Sequence, residues 1–215
     1  MKKMTWLIDL GSRNYPEVLK LQRMLVERRI EGSIPDTLLL VEHDDVITLG
    51  RRGKPTDVFT TEIPIYSVER GGEATYHGPG QLIGYPIFHL PGWPTSVTGF
   101  VRTLEDVLIR SSEDFGVPAS RVEGQTGVWV GGKKLASIGL AVKNGVTYHG
   151  FAINVHPELT RFTLLRPCGL KGSNMTSLSE VRKQDVGMDE FKEAMLKRFE
   201  EVFNTRFEHV DPSTL

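Results

Sequence analysis

The stretch Gly127–Val155, GVWVGGKKLASIGLAVKNGVTYHGFAINV, sets the reading of the whole chain. Gly127 to Val130 reads as a strand that ends in the glycine turn Gly131-Gly132. Leu135 to Val142 returns as a second strand. Asn144-Gly145 follows, a dipeptide in which both residues tolerate positive φ and the strongest short-range hairpin signal a sequence carries. Val146 to Val155 supplies the partner strand. Residues 127–155 are therefore expected to form a three-stranded antiparallel meander.

Working outward, Gln81 to Phe88 alternates as a strand, and a long helix is expected from about Ser96 to Phe115. Ser96 suits the N-cap, Gly116 and Pro118 the stop, and Val97, Val101, Leu104, Leu108 and Phe115 share a face. Towards the N-terminus, Trp6 to Leu10 reads as a first strand. Pro16 opens a helix whose Val18, Leu21 and Leu25 recur at helical spacing, closed by Gly32 and Pro35. Leu38 to Val41, Val46 to Leu49 and Ile65 to Val68 read as strands. A helix near Asp189 to Phe203 and a strand at Arg206 to Val210 complete the chain. Hairpins and strand runs, rather than regular βαβ units, indicate an α+β fold: a mixed or antiparallel sheet packed by helices.

With 215 residues, 39% of them hydrophobic, the chain is expected to fold as one domain over 1–215. The helix around 189–203 could form a small subdomain, but no linker marks one. Lys plus Arg number 26 against 27 Asp plus Glu, for a net charge of −1. That balance argues against a dedicated nucleic-acid binder. The single cysteine, Cys168, excludes an intrachain disulfide and favours a reducing compartment. The opening MKKMTWLIDLGS is interrupted by Asp9, too early for a signal-peptide core, and no apolar run reaches the roughly 20 residues that span a bilayer. The expectation is a cytoplasmic protein without membrane contact.

Several familiar signatures fail. Gly127-x4-Gly132-Lys133 continues with Lys134 where a P-loop needs Ser or Thr, and its interior favours a strand. Gly78-Pro79-Gly80 lacks the third glycine of a dinucleotide fingerprint. There is no CxxC, HExxH or GxSxG, so neither a zinc site nor a dinucleotide fold is expected.

Four segments survive. The first is Arg70-Gly71-Gly72-Glu73-Ala74-Thr75-Tyr76-His77-Gly78-Pro79-Gly80-Gln81-Leu82, whose glycines suit either backbone approaching a ligand or an elaborate turn. The second, Lys133 to Gly139, puts a lysine at the start of a buried strand. Solvated there, it would be inert; partly buried, it would become a usable acid or base. The third, Tyr148 to Asn154, contains His149, open to a catalytic or a structural role. The fourth, Arg166-Pro167-Cys168-Gly169, places the thiol in a loop. A cysteine with a nearby base is the least equipment a covalent nucleophile requires, although a lone cysteine is most often a small buried hydrophobe.

Together these segments, with HDDVITLGRRG at His43 to Gly53, resemble the lipoyl (octanoyl) transferase family over most of residues 37–170. The resemblance implies the fold shared by biotin and lipoate protein ligases. It implies transfer of an octanoyl group from acyl carrier protein to a specific lysine of lipoyl domains, those of 2-oxoacid dehydrogenase complexes and of the glycine cleavage H protein. It implies no metal and no organic cofactor, and a monomer is expected. Carried over position by position, Cys168 is the acyl-thioester nucleophile and Lys134 its acid–base partner. The substrate-contacting residues are Arg70, Gly71, Gly72, Glu73, Ala74, Thr75, Tyr76, His77, Ser137, Ile138, Gly139, Gly150, Phe151 and Ala152. His149, Asn154, Gly78 and Gln81 are further candidates. Arg51, Arg52, Lys54, Lys133, Lys143, Arg161 and Lys171 could form a basic rim that steers acidic protein substrates. The competing readings are an ATP-dependent lipoate or biotin ligase of the same fold, and a non-enzymatic module that binds acylated carriers or lipoyl domains. Spacing alone leaves open whether Lys134 and Cys168 meet.

Overall fold

The computed structural model describes residues 2–92, 96–166 and 174–215. Its elements run β1 (Lys3–Arg13), α1 (Tyr15–Ile30), β2 (Thr37–His43), β3 (Val46–Leu49), β4 (Ile65–Ser67), β5 (Ala74–His77), β6 (Gln81–Ile87), α2 (Val97–Glu113), β7 (Ser120–Val122), β8 (Gln125–Val130), β9 (Lys133–Lys143), β10 (Val146–Asn154), α3 (Leu178–Arg182), α4 (Met188–Val202) and β11 (Thr205–His209). Eight strands form one sheet in the order β11-β1-β2-β6-β10-β9-β8-β7, and β4-β3-β5 form a second, three-stranded sheet. The pairs β1–β11, β1–β2 and β3–β4 are parallel and the others antiparallel. The α+β class and the 127–155 meander are both present.

Both faces of the large sheet are covered, which explains the unbroken apolar run of β2. Leu38 and Leu40 enter one core with α2 and α4, whereas Leu39 and Val41 enter the other with α1. This is the two-residue alternation of a pleated strand. Helix α1 starts where Asn14 accepts the amide of Glu17 at 3.1 Å, with Pro16 in the first turn. Ser96 caps α2 through the amide of Gly99, also at 3.1 Å. Phe191, Met195 and Phe199 of α4 lie in the same apolar cluster as Leu104 and Leu108 of α2, so α4 builds on the main core rather than a separate subdomain.

Two expectations need correction, and two short elements escaped the sequence reading. Val97 does not join the apolar face of α2: it is 44% exposed, and Val101 is only half-buried, because the first turn overhangs a groove beside β9. The glycine-rich segment is not all turn, since Ala74–His77 form β5, with Thr75 opposite Thr48 of β3. Their β-branched and aromatic side chains suit a strand once β3 offers an edge. The short elements β7 and α3 carry too few residues for periodicity to reveal them.

Candidate active site

Lys134 is the second residue of β9 and is only 6% exposed, so the solvated strand end is excluded. Its ammonium stands 5.1 Å from the centre of the Trp129 ring on the neighbouring strand β8, within cation–π range. Trp129 and Lys134 are cross-strand partners next to a register shift in the ladder. That irregularity begins beside Gly127, whose φ of +120° only glycine adopts readily. A Cβ at Gly127 would stand 2.8 Å from Cε of Lys134 and 2.4 Å from the Ala136 carbonyl. Gly127 thus leaves the space through which the lysine stem runs. Its amide donates to the buried Glu105 at 3.0 Å, and Arg121 holds the other oxygen of that carboxylate at 2.7 Å. On the opposite side, the Lys134 carbonyl accepts the Thr176 amide at 3.0 Å, and Lys134 bridges to Met175. Cys168, Lys171 and Gly169 lie outside the described residues; Met175 belongs to the chain shortly after them.

The loop before β5 is braced from within. The buried Arg70 donates to the Thr48 carbonyl at 2.7 Å, the Glu73 carbonyl at 2.9 Å and the Gly71 carbonyl at 3.0 Å. The Gly71 amide donates to Leu140 of β9 at 2.9 Å, which docks the loop on the large sheet. Arg70 is therefore a strut for the backbone carbonyls around it.

Between loop and sheet lies a slot lined by Arg70, Gly71, Gly72, Thr75, His77, Lys134, Ser137, Ile138, Gly139, Gly150, Phe151 and Ala152, together with His149. It holds about 500 Å³ of empty space, its open mouth included. At Gly150 the backbones pack so closely that a Cβ would fall 2.0 Å from the Gly84 carbonyl. Tyr15, Ile83 and Tyr85 complete the lining, and sequence reasoning missed them. They come from α1 and β6, and only the helix–sheet packing brings them there.

Not every expected residue faces the slot. Ala74 and Tyr76 lie in the apolar cluster beneath the small sheet, and the Tyr76 hydroxyl donates to Asp45 at 2.6 Å. Glu73 stands 4.0 Å from Arg52. Gly78 sits against the Tyr76 hydroxyl. Gln81 links His77 at 3.2 Å to Asn154 at 3.0 Å, and Asn154 in turn donates to the Thr176 carbonyl at 2.8 Å. These residues fasten the slot from behind. Of the expected basic rim, Lys133, Lys143 and Arg161 are held by Glu180, Glu27, and Asp45 with Glu158, while Arg51, Arg52 and Lys54 are exposed.

The wall of the slot and the layer behind it carry polar groups that stay neutral. His43 meets the Arg13 carbonyl through Nδ1 and the Tyr85 hydroxyl through Nε2, both at 2.8 Å. A carbonyl only accepts, so Nδ1 carries the proton and Nε2 accepts from the tyrosine. Burial lowers the pKa of His43 to about 4. Burial, reinforced by the Arg70 charge, likewise takes His149 to about 4. His149 holds φ +55° within β10, and its Nε2 stands 3.5 Å from Glu69, beyond good hydrogen-bond length. Burial lowers His77 still further and raises Tyr15 to about 12. Near neutrality these side chains add no charge, a setting that suits an uncharged aliphatic chain. Among the described residues no group of three or more His, Cys, Asp or Glu is placed to hold a metal ion.

The site is thus a slot between the glycine-rich loop and a two-faced α+β sheet, with a buried lysine at its edge. Residues 14–200 match the lipoyl protein ligase A/B catalytic domain. The chain belongs to that family. A protein of Pyrobaculum calidifontis named "Probable octanoyltransferase" is 45% identical over 96% of this chain and 88% of its own length. An octanoyltransferase of Syntrophotalea carbinolica is 44% identical over 92% of this chain and 93% of its own. Among solved structures, lipoate-protein ligase A bound with ATP superposes with a TM-score of 0.75, covering 98% of this chain and 89% of its own, at 18% identity. That likeness bears on the fold alone, and the fold is the lipoate-ligase type expected.

Proposed function

We propose that this chain is an octanoyltransferase working in the cytoplasm as one catalytic domain over 1–215. It takes the octanoyl group of acyl carrier protein, holds it on Cys168, and passes it to a lysine of a lipoyl domain. The observation that carries the reading is Lys134, a buried amine at the edge of the slot in a chain whose curated relatives bear the octanoyltransferase name.

The chemistry is balanced without an outside energy source. An ammonium beside a thiol favours the thiolate. The Cys168 thiolate attacks the carrier thioester, a new C–S bond forms, the old one breaks, and the departing thiolate takes a proton from Lys134 and leaves as the thiol. Lys134 is then a neutral amine. When the acceptor lysine attacks the acyl-enzyme, an amide forms, the Cys168 thiolate leaves, and the acceptor's proton passes to Lys134. One group serves as acid in the first half and base in the second. The aliphatic chain contributes binding through burial, roughly 0.8 kcal/mol per methylene.

Intact mass spectrometry after mixing with octanoyl-acyl carrier protein tests this. The wild type should gain one octanoyl group and Cys168→Ala none, whereas turnover that required ATP and survived Cys168→Ala would establish a ligase instead.

A further inference from the structure

A second, wider cavity adjoins the slot, and Gly71, Gly72, Lys134, Ile138 and Gly139 line both. Lys134 stands at the junction. The second space is an open groove of about 1060 Å³, solvent included, beneath the overhanging first turns of α2. Half-buried Ile138 and Leu140 of β9 face it, with Val101 and the exposed Val97 across from them. Gln125 and Thr126 supply polar edges, and Arg52 stands at its rim. The Arg52 side chain is 74% exposed and stands 4.0 Å from Glu73.

We propose that this groove binds the pantetheine arm of the donor thioester, a subsite that rests on the octanoyl-transfer reading. The first argument is position. If the acyl chain fills the slot and its carbonyl reacts beside Lys134, the departing sulfur and its arm leave across that junction, and the groove begins there. The second is chemistry. Pantetheine alternates amides with short methylene links and ends in a dimethyl-substituted carbon and a methylene, through which the carrier-bound arm joins a phosphodiester. The groove offers aliphatic patches, a side-chain amide, a hydroxyl, and a guanidinium for the phosphate. The third is packing. A helix turn that leaves a valine 44% exposed above half-buried Ile138 and Leu140 has apolar surface to cover.

The test compares acyl-enzyme formation from octanoyl-pantetheine, octanoyl-4′-phosphopantetheine and the armless S-ethyl thiooctanoate. Val101→Trp fills the groove from α2, and Leu140→Gln alters it from β9. Both should lower kcat/KM for octanoyl-pantetheine at least tenfold more than for the ethyl thioester. Arg52→Ala should weaken the phosphorylated donor more than the unphosphorylated one. Equal losses on armed and armless donors would overturn the proposal. So would normal acylation with a slowed second half-reaction, which would assign the groove to the acceptor, or calorimetric binding of ATP with none of pantetheine. If no thioester acylates the wild type, the octanoyl-transfer reading itself fails, and the groove's role fails with it.

Discussion

The lysine at position 134 depends on two neighbours that do no chemistry themselves. Gly127 leaves its stem room, and Trp129 gives its ammonium a π face. Gly127→Ala would force a Cβ into the Ala136 carbonyl at a φ that alanine tolerates poorly, costing about 1–3 kcal/mol. Urea denaturation should show that loss in the midpoint, together with reduced acylation. Trp129→Leu keeps an apolar contact but removes the π face, worth about 0.5–2 kcal/mol at a desolvated site. The expected result is a several-fold to roughly thirtyfold fall in the acylation rate, with partial recovery in Trp129→Phe. A Trp129→Leu enzyme with wild-type kinetics would show that the ring merely packs. The sequence singled out Lys134 but left its burial undecided, since burial comes from β8, β9 and the Met175–Thr176 segment converging.

At the scale of elements, the edges of the large sheet are unequal. Strand β11 forms one edge and pairs in parallel with β1, and the hydroxyls of Thr5 and Thr205 meet at 2.6 Å in a buried contact. Thr205 also donates to the Lys3 carbonyl at 2.7 Å. Deleting residues 204–215 would remove one of the two partners of β1 and make this longer strand the sheet's edge, an unpaired template for aggregation. Such a truncation should lower the melting temperature and raise light scattering; unchanged behaviour in both would mean that β11 is dispensable. Element α2 teaches a different lesson. Its apolar positions read as one continuous stripe, yet Val97 in the first turn is 44% exposed and lines a groove. Periodicity reports which residues can share a face, not whether anything packs against that face.

The molecule as a whole carries buried imidazoles that must stay neutral. His43 and His149 each titrate near 4 in the fold against an ordinary value of 6.5. The unfolded chain therefore binds more protons than the folded one once pH drops below about 6.5. By linkage, the stability these two residues support is complete above that pH and is lost progressively as pH falls towards 4. Each unit is worth about 1.4 kcal/mol, so the two sites together remove several kcal/mol. Urea midpoints measured at pH 7, 6 and 5 should decline accordingly, with imidazole NMR signals of both residues unchanged down to pH 5. Titration of either ring near 6.5 would contradict the buried, neutral wall. Across the described residues, no helix is long and apolar enough to cross a membrane.

By itself the sequence determined the local pieces: the 127–155 meander through its glycine turns and Asn144-Gly145, the cap at Ser96, the helix start at Pro16, and the chemistry available at Lys134 and Cys168. These follow from φ preferences, side-chain periodicity and functional groups, all properties of neighbours along the chain. Only the tertiary structure decided that Tyr15 and Tyr85 would close the slot, that Ala74 and Tyr76 would turn away from it, and that Arg70 would bind backbone carbonyls. Those outcomes depend on contacts between residues far apart in sequence, fixed when α1 and the glycine-rich loop settle on opposite parts of one sheet. No local pattern encodes which distant surface will arrive.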